Sequence, residues 1–593
     1  MQMYSVHRFA LSLAAAVLLL EACSGGGGAL PHATTPVPSN AKKAQVAITI
    51  RWPAHKISTA RHPQFVSPST MSVIVEAQGS DGTTSTTIAN NTGTPSTTLN
   101  FSAPVGSDNF YVSLYDQPQP AGATSPTGQE LGQAEVTQTI NAGVLNTVNF
   151  TVDGIVAELG IALAQGSTMA ELNGKIGSQQ ITMVGDVPTN VVVTPMDADG
   201  NAILAPGTVP VPTLTVGAAS TGGITVTPSQ SNPNEYMLTL NGASTNGSFG
   251  LTASATDGQG GTATSNITIV VSPAIYVGYG SGSGSRIVVY DHSGNPLSLG
   301  QNAFTGVTQP VGLAYDQDDK ELFVADASGK LLAFDGAGNP STSFAPVNVP
   351  GISTISYINA SQTPFWSVLP SLSDPKRVLV GGTGGIAEYS TTTGNQDVQA
   401  AVGFTPTALA GYYSPFWSQY NPDPASGWFL FAGDPAGNID FFDLASLSAD
   451  TADNTPLNGD VATSFAGGFY GHVLGNCVSG GTIYNDYAHC LYVASASTKH
   501  IDRLGDFGGL FGSNVPGSFD QGAAGAAAAI AFDPANLTLD AVDSSANTVT
   551  YYTINDTWVT YTQPLSFGLT SAGSFTTPAS LGLSAPNSIA VEW

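Results

Sequence analysis

Apolar and polar residues alternate with period two along most of the chain, in runs of roughly four to eight bounded by Gly, Pro, Asn, Asp and Ser. Such alternation predicts half-buried strands and an all-β fold class. No long amphipathic helix pattern appears. In the last half a three-strand unit repeats, most clearly over 310–335, PVGLAYDQDDKELFVADASGKLLAFD. Its middle strand recurs at Ile275-Tyr276-Val277, Leu322-Phe323-Val324, Val378-Leu379-Val380, Phe429-Leu430-Phe431, Leu491-Tyr492-Val493 and around Leu539. An apolar-x-x-aromatic third strand follows at 287–290, 331–334, 386–389, 439–442 and 549–552, with 501–504 as a weaker copy. Repeats of roughly 45–60 residues built from such strands predict a β-propeller, since a single blade cannot cover both its faces. An open β-solenoid, or several sandwiches with coincidental spacing, is the alternative.

The inner strand of the unit reads Gly312-Leu313-Ala314-Tyr315-Asp316 in one copy and Ala529-Ile530-Ala531-Phe532-Asp533 in another. The copy beginning at Ala274 lacks this strand at its front, and Ser588-Ile589-Ala590-Val591 supplies it from the C-terminus. Six middle strands and one returned inner strand predict six blades over 273–593, closed by the C-terminal strand, which leaves no open sheet edge. The pattern resembles NHL-repeat and related six-bladed propellers, with an inner Gly-apolar-Ala-apolar-Asp strand before apolar-Tyr-Val-Ala-Asp. Gly381-Gly382 and Ala494-Ser495 depart from the Ala-Asp step. The resemblance implies a fold more than an activity, because that family contains scaffolds, sensors and enzymes.

Ahead of the propeller, 45–152 alternates as in Val46-Ala47-Ile48-Thr49-Ile50, Met71-Ser72-Val73-Ile74-Val75, Phe110-Tyr111-Val112-Ser113-Leu114 and 144–152. This predicts one β-sandwich. A second, over 153–272, is read from strands at 190–194, 213–216, 224–227, 236–240 and 267–271. Its turns at 197–201 and 257–261 resemble those of bacterial immunoglobulin-like repeats. Asp197-Ala198-Asp199-Gly200-Asn201 invites calcium, but the glycine arrives too early for an EF-hand loop and no Glu closes it, so a hairpin turn is expected.

Composition adds an address. Residues 1–22 pair a cationic start with an apolar run at 9–20, then Leu20-Glu21-Ala22-Cys23. This resembles a bacterial lipoprotein signal, which implies export and lipid attachment at Cys23; a conventional cleaved signal is the alternative. Residues 23–44, rich in Gly, Pro, Ser and Thr, read as a flexible tether with a reach on the order of 25 Å. The 593 residues hold 14 Lys+Arg against 41 Asp+Glu, a formal charge of −27. Such a balance argues against a nucleic-acid partner, whose phosphates demand clustered cations. The expected membrane partner is therefore reached through the lipid alone, with only Lys42 and Lys43 locally basic. The two remaining cysteines, Cys477 and Cys490, flank one loop and are expected to pair in an oxidising compartment. Metal binding with His472 and His489 lacks zinc-motif spacing.

Candidate chemistry is sparse. The chain has no Gly-x-Ser-x-Gly, His-Glu-x-x-His or Walker pattern. Ser373-Asp374-Pro375-Lys376 matches Ser-x-x-Lys in a loop that Pro375 keeps from turning helical. Asp326, Asp543, Asp291, Asp335 and Asp443 end strands, where Asx-turns use carboxylates; a channel metal, as in gluconolactonase-type lactonases, is the rival. No catalytic or metal-binding residue and no cofactor is assigned. Thr363-Pro364-Phe365-Trp366-Ser367 and Ser414-Pro415-Phe416-Trp417-Ser418 occupy equivalent places in the third and fourth blades, with Tyr412, Tyr413 and Tyr420 beside the second and Tyr470 in the fifth. These aromatics either pack under long loops or form a recognition patch. The expected function is non-catalytic recognition of an extracellular protein or glycan by an envelope-anchored protein. A metal-dependent hydrolase or lactonase, or a purely structural envelope component, is the alternative. On the anchor reading, Cys23→Ser abolishes membrane association or maturation, which membrane fractionation measures; a variant that still fractionates with membranes overturns it.

Overall fold

A computed structural model describes residues 42–592 apart from 53–66, 122–124, 204–208, 219–222, 242–247, 258–259, 282–285, 300–301, 360–375, 414–427, 444–454, 457–460, 468–477, 480–481, 484–489, 496–499, 506–518, 525–526, 534–537 and 561–562. The fold is all-β. No helix among the described residues is long and apolar enough to cross a membrane. The chain divides into two compact units. The first holds Met1–Glu158, Pro195–Pro210 and Thr256–Ala263, and the second holds Leu159–Thr194, Val211–Ala255 and Thr264–Trp593.

In the first unit two sheets face each other. One runs in the order Ser96–Pro104, Lys43–Arg51, Asn146–Thr147; the other runs Thr84–Asn90, Ser72–Gly79, Gly106–Tyr115, Glu130–Ile140, Asp153–Gly154. Alternation sets the packing: Val46, Ile48 and Ile50 point inward to meet Val73, Val75, Phe110 and Val112. The run 144–152 departs from expectation. Only Asn146–Thr147 is strand there, because the preceding Val144 and Leu145 belong to a turn and lie exposed.

The second unit opens with strands of a further pair of sheets. Gln179–Val184 lies parallel to Thr262–Ser272 in one, and Thr189–Met196 is antiparallel to Glu235–Leu240 in the other. Six antiparallel sheets then follow. The first is built from Ser584–Glu592, Ala274–Ser281 and Ile287–Tyr290; the second from Pro310–Asp316, Glu321–Asp326, Lys330–Asp335 and Val347–Asn348. The third begins with Thr354–Asn359 and Lys376–Gly382, the fourth with Ala408–Tyr413 and Trp428–Gly433, the fifth with Ala462–Gly467 and Cys490–Ser495, and the sixth with Ala527–Asp533 and Thr538–Asp543. All the expected middle strands are present. A succession of such sheets is the arrangement of a β-propeller.

The C-terminal strand pairs as expected: Ile275 stands opposite Val591, Tyr276 opposite Ala590 and Val277 opposite Ile589. Leading strands of successive sheets lie beside one another, and Ser584–Glu592 neighbours both Pro310–Asp316 and Ala527–Asp533. Small residues permit that approach. A Cβ on Gly312 would meet Ile355 Cγ2 of the next leading strand at 2.8 Å, and within the first sheet one on Gly278 would strike the Ser588 hydroxyl at 2.2 Å. Ile589 is 5% exposed in a cluster with Ile275, Val277, Val542 and Val549, joining the first and sixth sheets. Ile589→Ala should therefore cost about 2–5 kcal/mol of stability, measured by denaturant unfolding; an unchanged midpoint would mean that the returned strand does not carry this core.

Candidate functional site

The leading strands of the six sheets line one cavity of about 110 Å³. Its wall is made of small and apolar residues such as Gly312, Ala314, Ala410 and Gly411, with Thr354, Ser356, Thr463, Ser464, Asn587 and Ser588 as the short polar side chains. Many of those polar groups stitch neighbouring sheets together. Asn587 Nδ2 donates to the Pro310 carbonyl (2.9 Å), and Ser464 Oγ accepts from Ile530 N (3.2 Å). Outside the lining, Ser353 Oγ donates to the Pro406 carbonyl (2.6 Å). The cavity is well below the roughly 300–1,000 Å³ of an engulfing pocket. No carboxylate, imidazole or thiol lines it among the described residues.

The ends of the strands divide this region into two halves. The turn after Pro310–Asp316 is short: Asp316 Oδ1 accepts from the amides of Asp318 (2.9 Å) and Asp319 (3.1 Å). In contrast, the corresponding connections leave Asn359 and return at Lys376, leave Tyr413 and return at Trp428, and leave Gly467 and return at Cys490. The long connections of the third, fourth and fifth sheets thus start from one end of three neighbouring sheets. Phe365, Trp366, Phe416, Trp417, Tyr420, Tyr470 and Cys477 fall in them and lie outside the described residues, as does Cys23. Tyr412 and Tyr413 end the strand Ala408–Tyr413, and Cys490 begins Cys490–Ser495.

On the short-turn half sits a group that sequence reading did not single out. Glu592 occupies the place in its strand that Asp316 and Asp533 hold in theirs, and all three are buried. Its carboxylate accepts from the Tyr276 hydroxyl (2.6 Å) and from the Asp186 amide (2.9 Å). Asp186 belongs to the segment that follows Gln179–Val184, and its own carboxylate pairs with Lys320 Nζ at 2.7 Å. Tyr276 stacks on Tyr315 with ring centroids 5.4 Å apart. Gln317 Nε2 donates to the Val591 carbonyl (2.8 Å), and Asp319 pairs with Lys376 of the third sheet at 2.5 Å. The run Asp316-Gln317-Asp318-Asp319-Lys320 therefore touches the preceding sheets, the returned strand and the next sheet at once. The signal that marks these groups is the acidic residue recurring at one register position of three leading strands.

Burial, reinforced by the neighbouring Asp186, pushes the Glu592 carboxyl up to about 8. Burial likewise raises Asp316 to about 6, against the pull of the Asp319 amide. In the sixth sheet, burial and the adjacent Asp533 raise Asp540 well above the carboxylate range.

Several other carboxylates are spent on turns. Asp291, Asp335, Asp434 and Asp197 each begin an Asp-x-x-Gly-Asn sequence, and all four fold alike. The Asp carboxylate accepts from the Asn amide at 2.8–2.9 Å, while the Gly takes φ of 77–91°. The run at 197–201 is thus the hairpin turn expected for it. Asp326 accepts from the amides of Thr308 and Gln309, both at 2.7 Å, and of Ser328 at 2.9 Å. Although burial pushes Asp326 up, these donors hold it below the usual carboxylate value. Asp543 accepts from Ser545 and Ala546 amides.

No family profile matches the chain, and no curated protein matches it in sequence. Among solved structures it is similar to the β-propeller domain of Cps50 (Swd1) from Myceliophteria thermophila, with 9% identity and a TM-score of 0.30 over 51% of this chain and 83% of that one. It is also similar to U3-55K, with 10% identity and a TM-score of 0.28 over 46% of this chain and 70% of that one. Likeness at this level says nothing of function.

The raised Glu592 value fixes a pH dependence. A folded-state pKa above the unfolded one favours the protonated group, so its contribution is full below about pH 4.5 and is lost as pH rises through about 8. Unfolding free energy should fall by on the order of a few kcal/mol across that window. Glu592→Gln, which keeps the shape and one acceptor, should flatten the fall; denaturant titrations from pH 5 to 9 that superimpose for parent and variant would refute it.

Proposed function

We propose that this protein is an exported, lipid-anchored component of a bacterial cell envelope that recognises an extracellular protein or glycan without catalysis. Cys23 carries the lipid, the residues between it and the strand Lys43–Arg51 are the tether, and two immunoglobulin-like sandwiches form a stalk. The six sheets are the blades of an NHL-like propeller that the C-terminal strand closes, with Cys477 and Cys490 bridged in the fifth. Neighbouring leading strands, and the pairing of Ile589 with Val277, support that closure.

The observation that carries the recognition reading is the departure of three long connections from the same end of adjacent sheets, while the cavity between the leading strands stays small. A large partner is met on loops rather than engulfed. Aromatic side chains in such loops give binding energy at low entropic cost. A hydrolase with a metal in the cavity would need ligands that its described lining does not supply. Trp366→Ala and Trp417→Ala test the reading. Recognition expects unchanged melting and at least tenfold weaker binding on a glycan array or to an envelope-protein pull-down partner. Lower melting temperatures with binding intact would make both residues packing groups and remove recognition from this face.

A further inference from the structure

The described structure begins at Lys42, at one end of the first sandwich. At that end three things meet. The Val105 amide donates to the Lys42 carbonyl (2.8 Å), next to the pair in which Lys43 stands opposite Pro104. The turn 141–145 enters the same sheet through Asn146, which lies alongside Val46. The register therefore sets Val105 level with Lys42, and Val144 and Leu145 level with Ala44 and Gln45.

The turn is held from its base. Asn146, 7% exposed, donates through Nδ2 to the carbonyls of Asn141 (3.0 Å), Val144 (3.2 Å) and Gln45 (3.2 Å), and its Oδ1 accepts from the Asn141 amide (2.9 Å). A turn fixed so firmly has no need to leave apolar side chains in water. Yet Leu145 is 64% exposed, the highest value for a large apolar side chain among the described residues, with Val144 at 54% and Val105 at 37%. Lys42 and Lys43 lie exposed beside them, and the acidic residues nearby are Asp81, in the turn packed against Pro104, and the buried Asp108.

We infer that this end, where Val105, Val144 and Leu145 stand beside Lys42 and Lys43, is a lipid-contact tip that rests on the bilayer surface. The occupant follows from where the chain enters. This inference rests on the anchor reading: if Cys23 carries lipid, the residues between it and Lys42 hold this end, and no other end of the unit, within on the order of 25 Å of the membrane. Three aliphatic side chains insert too little surface to bind alone, as a single weak membrane signal does. A tether supplies the effective concentration that makes a weak contact persist. Two lysines add attraction to anionic headgroups despite the overall negative charge. The consequence is orientation: the first sandwich stands on the membrane by this end instead of swinging on its tether.

The test uses the chain from residue 23 onward as Cys23→Ser, with an N-terminal hexahistidine tag bound to vesicles through nickel-chelating lipid, so that natural lipidation is not needed. An environment-sensitive fluorophore replaces the side chain of Leu145 or, as a control, of exposed Thr92 in the turn at the opposite end. On phosphatidylcholine vesicles with phosphatidylglycerol, the probe at 145 should shift to the blue and be quenched several-fold more than the probe at 92 by lipid-borne quenchers. Lys42→Glu with Lys43→Glu should weaken the quenching only when anionic lipid is present. A water-like probe at 145, or equal quenching at both positions, overturns the inference. So does a blue shift that grows with protein concentration without vesicles, which would assign the surface to a second copy. Mass analysis of Cys23 in the natural chain separates the two readings: an unmodified Cys23 with a quenched 145 probe sinks the anchor alone, and an acylated Cys23 with a water-like probe sinks the tip alone.

Discussion

The buried carboxyl of Glu592 holds together parts of the second unit that are far apart in sequence. It takes the Tyr276 hydroxyl from the first sheet and the Asp186 amide from the strands that precede the sheets, while Asp186 reaches Lys320 in the second sheet. A buried acid is costly unless donors meet it, so seating the last strand is coupled to seating the 185–187 segment. Close fit enforces the same coupling: a Cβ on Gly185 would strike the Glu592 carboxylate at 2.5 Å. Apolar packing follows the polar contact, since Met169 and Val184 share one core with Tyr276, Leu313, Val324 and Ala590. The last strand, the first sheet and the segment before it are therefore one cooperative structure.

The chain's acidity looks different once its hydrogen bonds are followed. Forty-one acidic residues suggest cation sites, yet Asp197, Asp291, Asp335 and Asp434 spend their carboxylates on their own turn amides. Each repeats one local solution, an Asp that accepts from the residue four places on while a glycine takes the left-handed conformation. Asp326 does the same work between strands. Carboxylates used in this way pin hairpins in a protein with few cations to pair them.

The cavity and the long connections answer different demands. Leading strands approach closely because Gly312 carries no side chain, and Asn587 and Ser464 bond across to the next strand. That closeness keeps the cavity small. The same strand ends give the third, fourth and fifth sheets their long connections, so length variation collects where it does not disturb the packed strands.

Much of the fold was legible in sequence. Period-two alternation marks a strand wherever one face is buried, and the three-strand unit repeats because each sheet needs a neighbour; Leu322-Phe323-Val324 and Val378-Leu379-Val380 declared themselves for this reason. The missing inner strand at Ala274 and its supply by Ser588–Val591 could also be read, since an unpaired edge demands a partner. Of the candidate site, the two Pro-Phe-Trp-Ser segments could be placed on equivalent connections, because those lie between strands that the repeat defines. What only the tertiary structure decided was the company each polar group keeps. Asp186, Tyr276, Lys320 and Glu592 span more than two-thirds of the chain, and local pattern carries no information about which of them meet. Nor does alternation foretell that Val144 and Leu145, in the same apolar run as buried Val148, stay in water. Periodicity fixes which face a strand buries, but partners across the fold are fixed by register and close approach, which exist only when the strands are packed.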